Sequence, residues 1–172
     1  NLLKGKKGII FGALDEKSIA WKVAERAHDE GAIFTLSNTM TALRFGQLDE
    51  LAAKTSSEII AADATSVEDL KQVLERSMEV LDGKVDFILH SIGMSLNVRK
   101  KRVYNELDYN FLNKTLDISA ISFHKMLQLA YSMDAINKWG SVVALSYIAA
   151  QRTLYGYNDM ADAKSMLESI AR

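Results

Sequence analysis

The chain has 172 residues, 48% of them hydrophobic and 25% charged, with a formal net charge of −1 and a mean hydropathy of −0.04. This is about one domain's worth of ordinary globular sequence, and its balanced charge gives no electrostatic case for nucleic acid or a membrane surface as a partner. No apolar run approaches the roughly 20 residues of a membrane helix, and the absence of cysteine excludes disulfides and thiolate chemistry while allowing a reducing compartment, the cytoplasm being expected.

Gly8–Phe11 is a short apolar run suited to a strand buried on both faces. Gly12 then lets the backbone turn sharply. From Ser18 the apolar period changes: Ile19, Ala20, Val23, Ala24 and Ala27 fall on one helical face, and Gly31 is a natural stop. The free N–H groups and dipole at that helix start, near Ser18 and Ile19, make a seat for an anion such as a pyrophosphate. Ala32–Leu36 reads as a second strand, Thr41–Thr55 as a helix and Glu58–Ala62 as a third strand. Ser66, with Asp69 three residues on, opens the next helix as a weaker relative of the capping box, and Leu70, Val73, Leu74 and Leu81 line its inner face. Val85–His90 is a fourth strand. Ser91–Tyr104 is loop-like and holds the basic run Arg99-Lys100-Lys101-Arg102. A long helical region covers about Tyr109–Ile136, Ser141–Ser146 is a fifth strand, and a helix begins near Tyr157.

Strands alternating with helices predict right-handed βαβ units: an α/β, Rossmann-like, doubly wound parallel sheet of order 3-2-1-4-5. The ligand crevice is expected at the carboxyl ends of strands 1 and 4. No linker or repeat interrupts residues 1–172, which read as one domain.

The glycine turn alone is weak evidence for a dinucleotide, because Gly12 stands where the full G-x-G-x-x-G has several glycines. Strand 2 ends Leu36-Ser37-Asn38-Thr39 without the carboxylate that would hold a ribose hydroxyl. Asn38 or Thr39 can bond a hydroxyl and Arg44 can pair with a 2′-phosphate, so NADH and NADPH both remain open. Three other strand ends converge on the crevice. Asp63 follows strand 3 and can accept from an adenine amino group, or serve only as a turn aspartate. Ser91-Ile92-Gly93 follows strand 4, and Tyr147 follows strand 5. Tyr157 and Lys164 lie seven residues apart, nearly two helical turns, and so share a face. A phenol there can donate to developing negative charge on a substrate oxygen, and an ammonium favours that charge. His28 and His124 have no paired ligand, so no metal site is expected.

Together these residues resemble the bacterial type I enoyl-acyl carrier protein reductases of the short-chain dehydrogenase/reductase superfamily. The matching elements are Gly12 with Ser18-Ile19-Ala20, Asp63-Ala64, His90-Ser91-Ile92-Gly93, Leu145-Ser146-Tyr147, and the family's Tyr-x6-Lys at Tyr157 and Lys164. The wider superfamily more often uses Tyr-x3-Lys, and that slot before Lys164 holds Met160. The resemblance implies that Gly12, Ala13, Ser18 and Ile19 hold the pyrophosphate of NADH (NADPH remaining possible), and that Asp63 and Ala64 meet adenine. Ser91, Ile92 and Gly93 would line the adenosine ribose and nicotinamide side, and Lys164 the nicotinamide ribose. It implies that Tyr157 bonds the thioester carbonyl of an enoyl group, that Tyr147 places the acyl chain, and that Met94 and Ser95 touch substrate. Acyl carrier protein and a homotetramer are the implied partners, with the apolar stretch Thr115–Ala130 at the subunit interface.

The chain departs from the family at Lys22, where relatives often carry glycine. The family also runs beyond this chain's end, so the 172 residues are expected to be part of a longer enzyme, without the segment that covers the substrate. The basic run can be a solvated loop or a dock for an acidic carrier. Two other functions remain open: a superfamily reductase acting on a carbonyl, and a nucleotide-sensing protein that has lost turnover.

Overall fold

Strand β1 (Lys7–Phe11) carries the first apolar run, and its Ile9, Ile10 and Phe11 are buried. The structure is a computed structural model and describes Asn1–Arg172. It divides into two compact units, Asn1–Ser91 with Met126–Val143, and Ile92–Lys125 with Ala144–Arg172.

The first unit holds a five-stranded sheet in the order β3-β2-β1-β4-β5, built with β2 (Ile33–Asn38), β3 (Ile59–Ala61), β4 (Val85–His90) and β5 (Ile136–Ala144). Pairing is parallel, with Phe11 opposite both Ser37 and His90, and Leu36 opposite Ile59. The order 3-2-1-4-5 is the expected one. A parallel sheet is buried on both faces, so its central strands show continuous apolar runs rather than alternation.

Helix α1 (Ile19–Asp29) buries Ala20, Trp21, Ala24 and Ala27. It stops where expected: Gly31 sits at φ +89° and its N–H bonds the His28 carbonyl at 2.8 Å. The predicted helix Thr41–Thr55 is two helices, α2 (Met40–Phe45) and α3 (Leu48–Thr55). The break at Gly46 and Gln47 is made by a distant partner, since Gln47 N–H donates to the Leu14 carbonyl at 2.9 Å. Helix α4 (Val67–Val80) starts as read. The Ser66 hydroxyl accepts from Asp69 N–H at 3.1 Å and donates to the Asp69 carboxylate at 2.9 Å. Its inner face buries Leu70, Val73 and Leu74, and its Ser77 hydroxyl pairs with Thr35 of β2 at 2.7 Å. Two buried hydroxyls thereby satisfy each other. Strand β5 begins five residues before the predicted Ser141, in polar sequence. Asn137 earns that extension by donating to the Lys84 carbonyl and the Asp86 carboxylate, both at 3.3 Å.

The second unit is helical. It holds α5 (Leu96–Arg99), α6 (Tyr109–Leu116), a wide helical turn Asp117–Ile121, the start of α7 (Ser122–Ser132), and α8 (Asn158–Ala171). The long helical region predicted over about Tyr109–Ile136 is continuous from Tyr109 to Ser132, widened at Asp117–Ile121, and it stops four residues early because Asp134 turns left-handed at φ 51°. The segment read as loop, Ser91–Tyr104, contains α5. Asp108 caps α6, accepting from Asn110 N–H at 2.9 Å and Phe111 N–H at 3.1 Å. Helix α6 and the wide turn after it pack against α8, with Ala120 of the turn and Ala163 and Leu167 of α8 buried.

Candidate active site

In the first unit, Gly12 is the pivot. Its φ is +91°, and a Cβ there would stand 1.9 Å from the Ser91 carbonyl oxygen. Only glycine fits both the conformation and the space. Gly12 N–H donates to the Ser37 carbonyl at 2.9 Å, and Ser91 N–H to the Phe11 carbonyl at 3.2 Å, so the three strand ends are laced together. Ala13 is buried. Ser18 does not cap α1. Its hydroxyl accepts from Leu14 N–H at 3.2 Å and donates to the Asp15 carbonyl at 2.8 Å, and no acidic residue stands in the first turn. The opening N–H groups of α1 are thus left for an outside anion, and Ile19 is exposed beside them. Lys22 pairs with Glu25 at 3.0 Å.

Asp63 lines a small cavity of about 230 Å³ with Thr39, Met40, Thr41, Ala61 and Asp69. One oxygen of Asp63 accepts from Thr65 N–H at 2.9 Å and from its hydroxyl at 2.8 Å. Ala64 beside it is buried. Asn38 is committed to the fold: its amide donates to the Ala13 carbonyl at 2.8 Å and its oxygen accepts from Thr39 N–H at 2.8 Å.

In the second unit, Tyr157 stands at the entrance to α8 with its ring 4.7 Å from that of Tyr147, tilted by 40°. Burial, then the neighbouring Tyr147, push the Tyr157 phenol above the ordinary range, so it stays protonated and able to donate. Lys164 is 7% exposed. Its ammonium donates to the Leu145 carbonyl at 2.7 Å and to the Ile92 carbonyl at 3.4 Å, while burial pulls it below the ordinary lysine range. Gly93 lies against the same side chain, since a Cβ there would come 3.5 Å from Lys164 Nζ. Met94 is held through its backbone, its N–H donating to Ser119 Oγ at 3.0 Å. Ser95 is buried, and its hydroxyl caps α5 by accepting from Val98 N–H at 3.0 Å.

The sequence-predicted residues therefore fall into two groups. Gly12, Ala13, Ser18, Ile19, Asp63, Ala64 and Ser91 belong to the first unit, and Ile92, Gly93, Met94, Ser95, Tyr147, Tyr157 and Lys164 to the second.

The family model described as Enoyl-(Acyl carrier protein) reductase matches residues 12–172. The chain belongs to this family. Among related enoyl-(acyl carrier protein) reductases, the NADH-named FabI of Rickettsia bellii is 32% identical over 99% of this chain and 64% of its own length. That of Aquifex aeolicus is 31% identical over 99% and 63%. The crystal structure of FabI from Alistipes finegoldii is 67% identical with a TM-score of 0.97, covering 99% of this chain and 66% of that one. Its FabI–NADH complex matches with a TM-score of 0.98 and covers 60% of that chain. This chain therefore spans less than two thirds of the length of these relatives.

Sequence reasoning passed over Asp159, which is fully buried on α8. An aspartate in a first helical turn reads as an ordinary dipole partner. Its hydrogen-bond donors lie 44 to 64 residues away, and no local pattern marks them.

Proposed function

We propose that these 172 residues are part of one nucleotide-binding reductase domain that reduces the trans-2 double bond of enoyl thioesters on acyl carrier protein, using NADH, in fatty acid synthesis in the cytoplasm. The observation that carries this reading is the Tyr157–Lys164 pair. A phenol that burial holds protonated stands at the entrance to α8, and an ammonium with no carboxylate to neutralise it stands on α8 itself, in a chain of the enoyl reductase family.

The residues present suit a dinucleotide. The uncapped start of α1 offers N–H groups to a pyrophosphate, and the cavity beside Asp63 offers a carboxylate to an adenine amino group. Relatives named for NADH and a neighbour solved with NADH support that cofactor. When bound, the reduced nicotinamide supplies hydride to the β-carbon of the enoyl group. Tyr157 donates its hydroxyl to the thioester carbonyl oxygen, where negative charge grows as the enolate forms. Lys164 holds the nicotinamide ribose and favours the same charge. Its two backbone acceptors fix its amine without neutralising it. Tyr147, its ring tilted against that of Tyr157, lines the acyl site with Met94 and the backbone of Ser95. Gly12, Ala13, Ser18 and Ile19 bind pyrophosphate, Asp63 and Ala64 adenine, and Ser91, Ile92 and Gly93 the adenosine ribose and nicotinamide side.

The deciding assay uses the full-length protein with crotonyl and acetoacetyl thioesters, each with NADH and NADPH. Reduction of crotonyl thioester with NADH is expected; reduction of acetoacetyl thioester alone would make it a carbonyl reductase, and no turnover of either a nucleotide sensor. We also propose a homotetramer, supported by the half-buried Ile118, Ile121, Leu127 and Leu129 on the stretch the family packs between subunits. Light scattering of the full-length protein should give four times the chain mass, and a monomer would reject it.

A further inference from the structure

Three consecutive residues at the head of α8 have three different jobs. Tyr157 carries the phenol. Asn158 turns the chain in the left-handed region at φ 45°, a conformation that a non-glycine residue keeps only when its surroundings hold it there. Asp159 is the anchor.

The Asp159 carboxylate has no exposed surface. Oδ1 accepts from Ser95 Oγ at 2.6 Å, and Oδ2 accepts from Asn97 Nδ2 at 2.8 Å and lies 2.9 Å from the Thr115 hydroxyl. All three partners are neutral and themselves buried: Ser95 and Asn97 in the chain after β4, Thr115 in α6. A buried carboxylate served by neutral donors is costly to assemble unless its geometry is well met. Here it is met from three separate segments, and the first turn of α8 adds its positive dipole end. The partners pass the restraint on. Ser95 Oγ also accepts from Val98 N–H at 3.0 Å, and Asn97 exchanges hydrogen bonds with the Asp108 backbone at 3.1 and 3.2 Å. Ser119 holds Met94 one residue before Ser95. Asn158 donates its side-chain amide to the Arg102 carbonyl.

We propose that Asp159 is a positioning residue. It locks the Met94–Asn97 segment to the head of α8 and so fixes where the Tyr157 hydroxyl stands relative to Met94 and Gly93. It touches no substrate or cofactor. The inference rests on the enoyl reductase reading for its kinetic consequence, but not for its structural one.

The test compares Asp159→Ala, Asp159→Asn and Thr115→Val in the full-length protein. An asparagine of the same shape can accept from Asn97 and Thr115 through its oxygen and donate to Ser95 through its nitrogen. Asp159→Ala is expected to lower kcat on crotonyl thioester by about tenfold or more while the NADH Kd moves by less than about twofold, because misplacement of a reacting group costs rate rather than cofactor binding. Asp159→Asn should restore most of the rate, and amide exchange over residues 157–164 should quicken in the alanine variant but not in the asparagine one. Wild-type kcat in Asp159→Ala, or a loss that vanishes when rates are expressed per folded molecule, overturns the proposal. Should Asp159→Ala fail to fold, Thr115→Val decides: a partial kcat loss with faster exchange at 157–164 supports the proposal, and no change in either overturns it. If the wild-type protein reduces no crotonyl thioester, the functional reading fails, while the exchange difference still decides whether Asp159 holds the segment.

Discussion

At the residue scale, Tyr157 and Lys164 are shifted by burial in opposite directions, the phenol upward and the ammonium downward. Burial disfavours the charged form of each group, so the phenol is harder to ionise and the ammonium easier to deprotonate. On the proposed reading, removing the phenolic oxygen in Tyr157→Phe takes away the donor to developing charge. The expected result is a fall in kcat of about 10²- to 10³-fold, with the NADH Kd nearly unchanged. Steady-state assay and fluorescence titration measure the two quantities. The pH dependence follows from the Lys164 sign. Its pKa is lowered by burial, so the charged form is lost, as pH rises, earlier than in a free lysine. The alkaline limb of kcat/KM should fall with that loss. In Lys164→Arg the cation keeps its charge at all working pH, and the limb should move upward towards the raised value of Tyr157. A limb that does not move would detach it from Lys164. The Tyr-x6-Lys spacing was legible because it is local. Asp159 was not, because a buried polar network is defined by segments far apart in the chain.

At the element scale, sequence and structure agree wherever a short local signal sets the outcome. The order of the sheet followed from alternating strand and helix patterns, the stop of α1 from Gly31 and the start of α4 from Ser66 with Asp69. They diverge where a distant contact decides. Leu14 breaks the helix predicted through Gly46, and Asn137 reaches the Lys84 backbone to extend β5 into residues that do not look like a strand. Two substitutions test the local signals. Gly12→Ala asks a methyl group to share space with the Ser91 backbone carbonyl and to adopt φ +91°. It should cost at least about 2 kcal/mol of folding stability or prevent folding. Ser66→Ala removes a helix cap and should cost about 1 kcal/mol, read from the urea midpoint. The Asp69 carboxyl is held below its ordinary range by the Asp63 N–H and then the Ser66 hydroxyl. Its contribution is therefore present above the unfolded carboxyl value and lost as pH falls through the lowered one. The gap between Ser66→Ala and wild type should narrow on acidification, and a gap independent of pH would exclude Asp69 from the cap.

At the scale of the whole molecule, the proposed carrier-protein substrate needs a surface to meet, and the basic run around the end of α5 supplies a specific expectation. Its four cations are all exposed, but they are not equivalent. Lys100 Nζ lies 4.9 Å from the centre of the Phe111 ring, and the Arg102 guanidinium 5.9 Å from it. Arg102 also donates to the Glu106 carbonyl at 3.3 Å. These two side chains are partly spent on packing against α6, so replacing them would disturb the fold as well as the charge. Arg99 and Lys101 make no such contact and are the ones free to meet an acidic partner. If the run docks acyl carrier protein, the double reversal Arg99→Glu with Lys101→Glu should raise KM for the carrier-bound enoyl substrate about tenfold at low salt. Surface charges are screened within roughly 8 Å at physiological ionic strength, so the effect should shrink as salt is added. KM for an enoyl-coenzyme A substrate, which brings no carrier surface, should stay within about twofold of wild type, because coenzyme A presents little of the extended negative field that steers a protein. Equal changes in the two KM values would mean that the run acts on the thioester arm or on the fold, and would reject it as a docking surface. A loss that persists at high salt would point the same way, since a long-range charge attraction cannot survive there while a distorted α5 can.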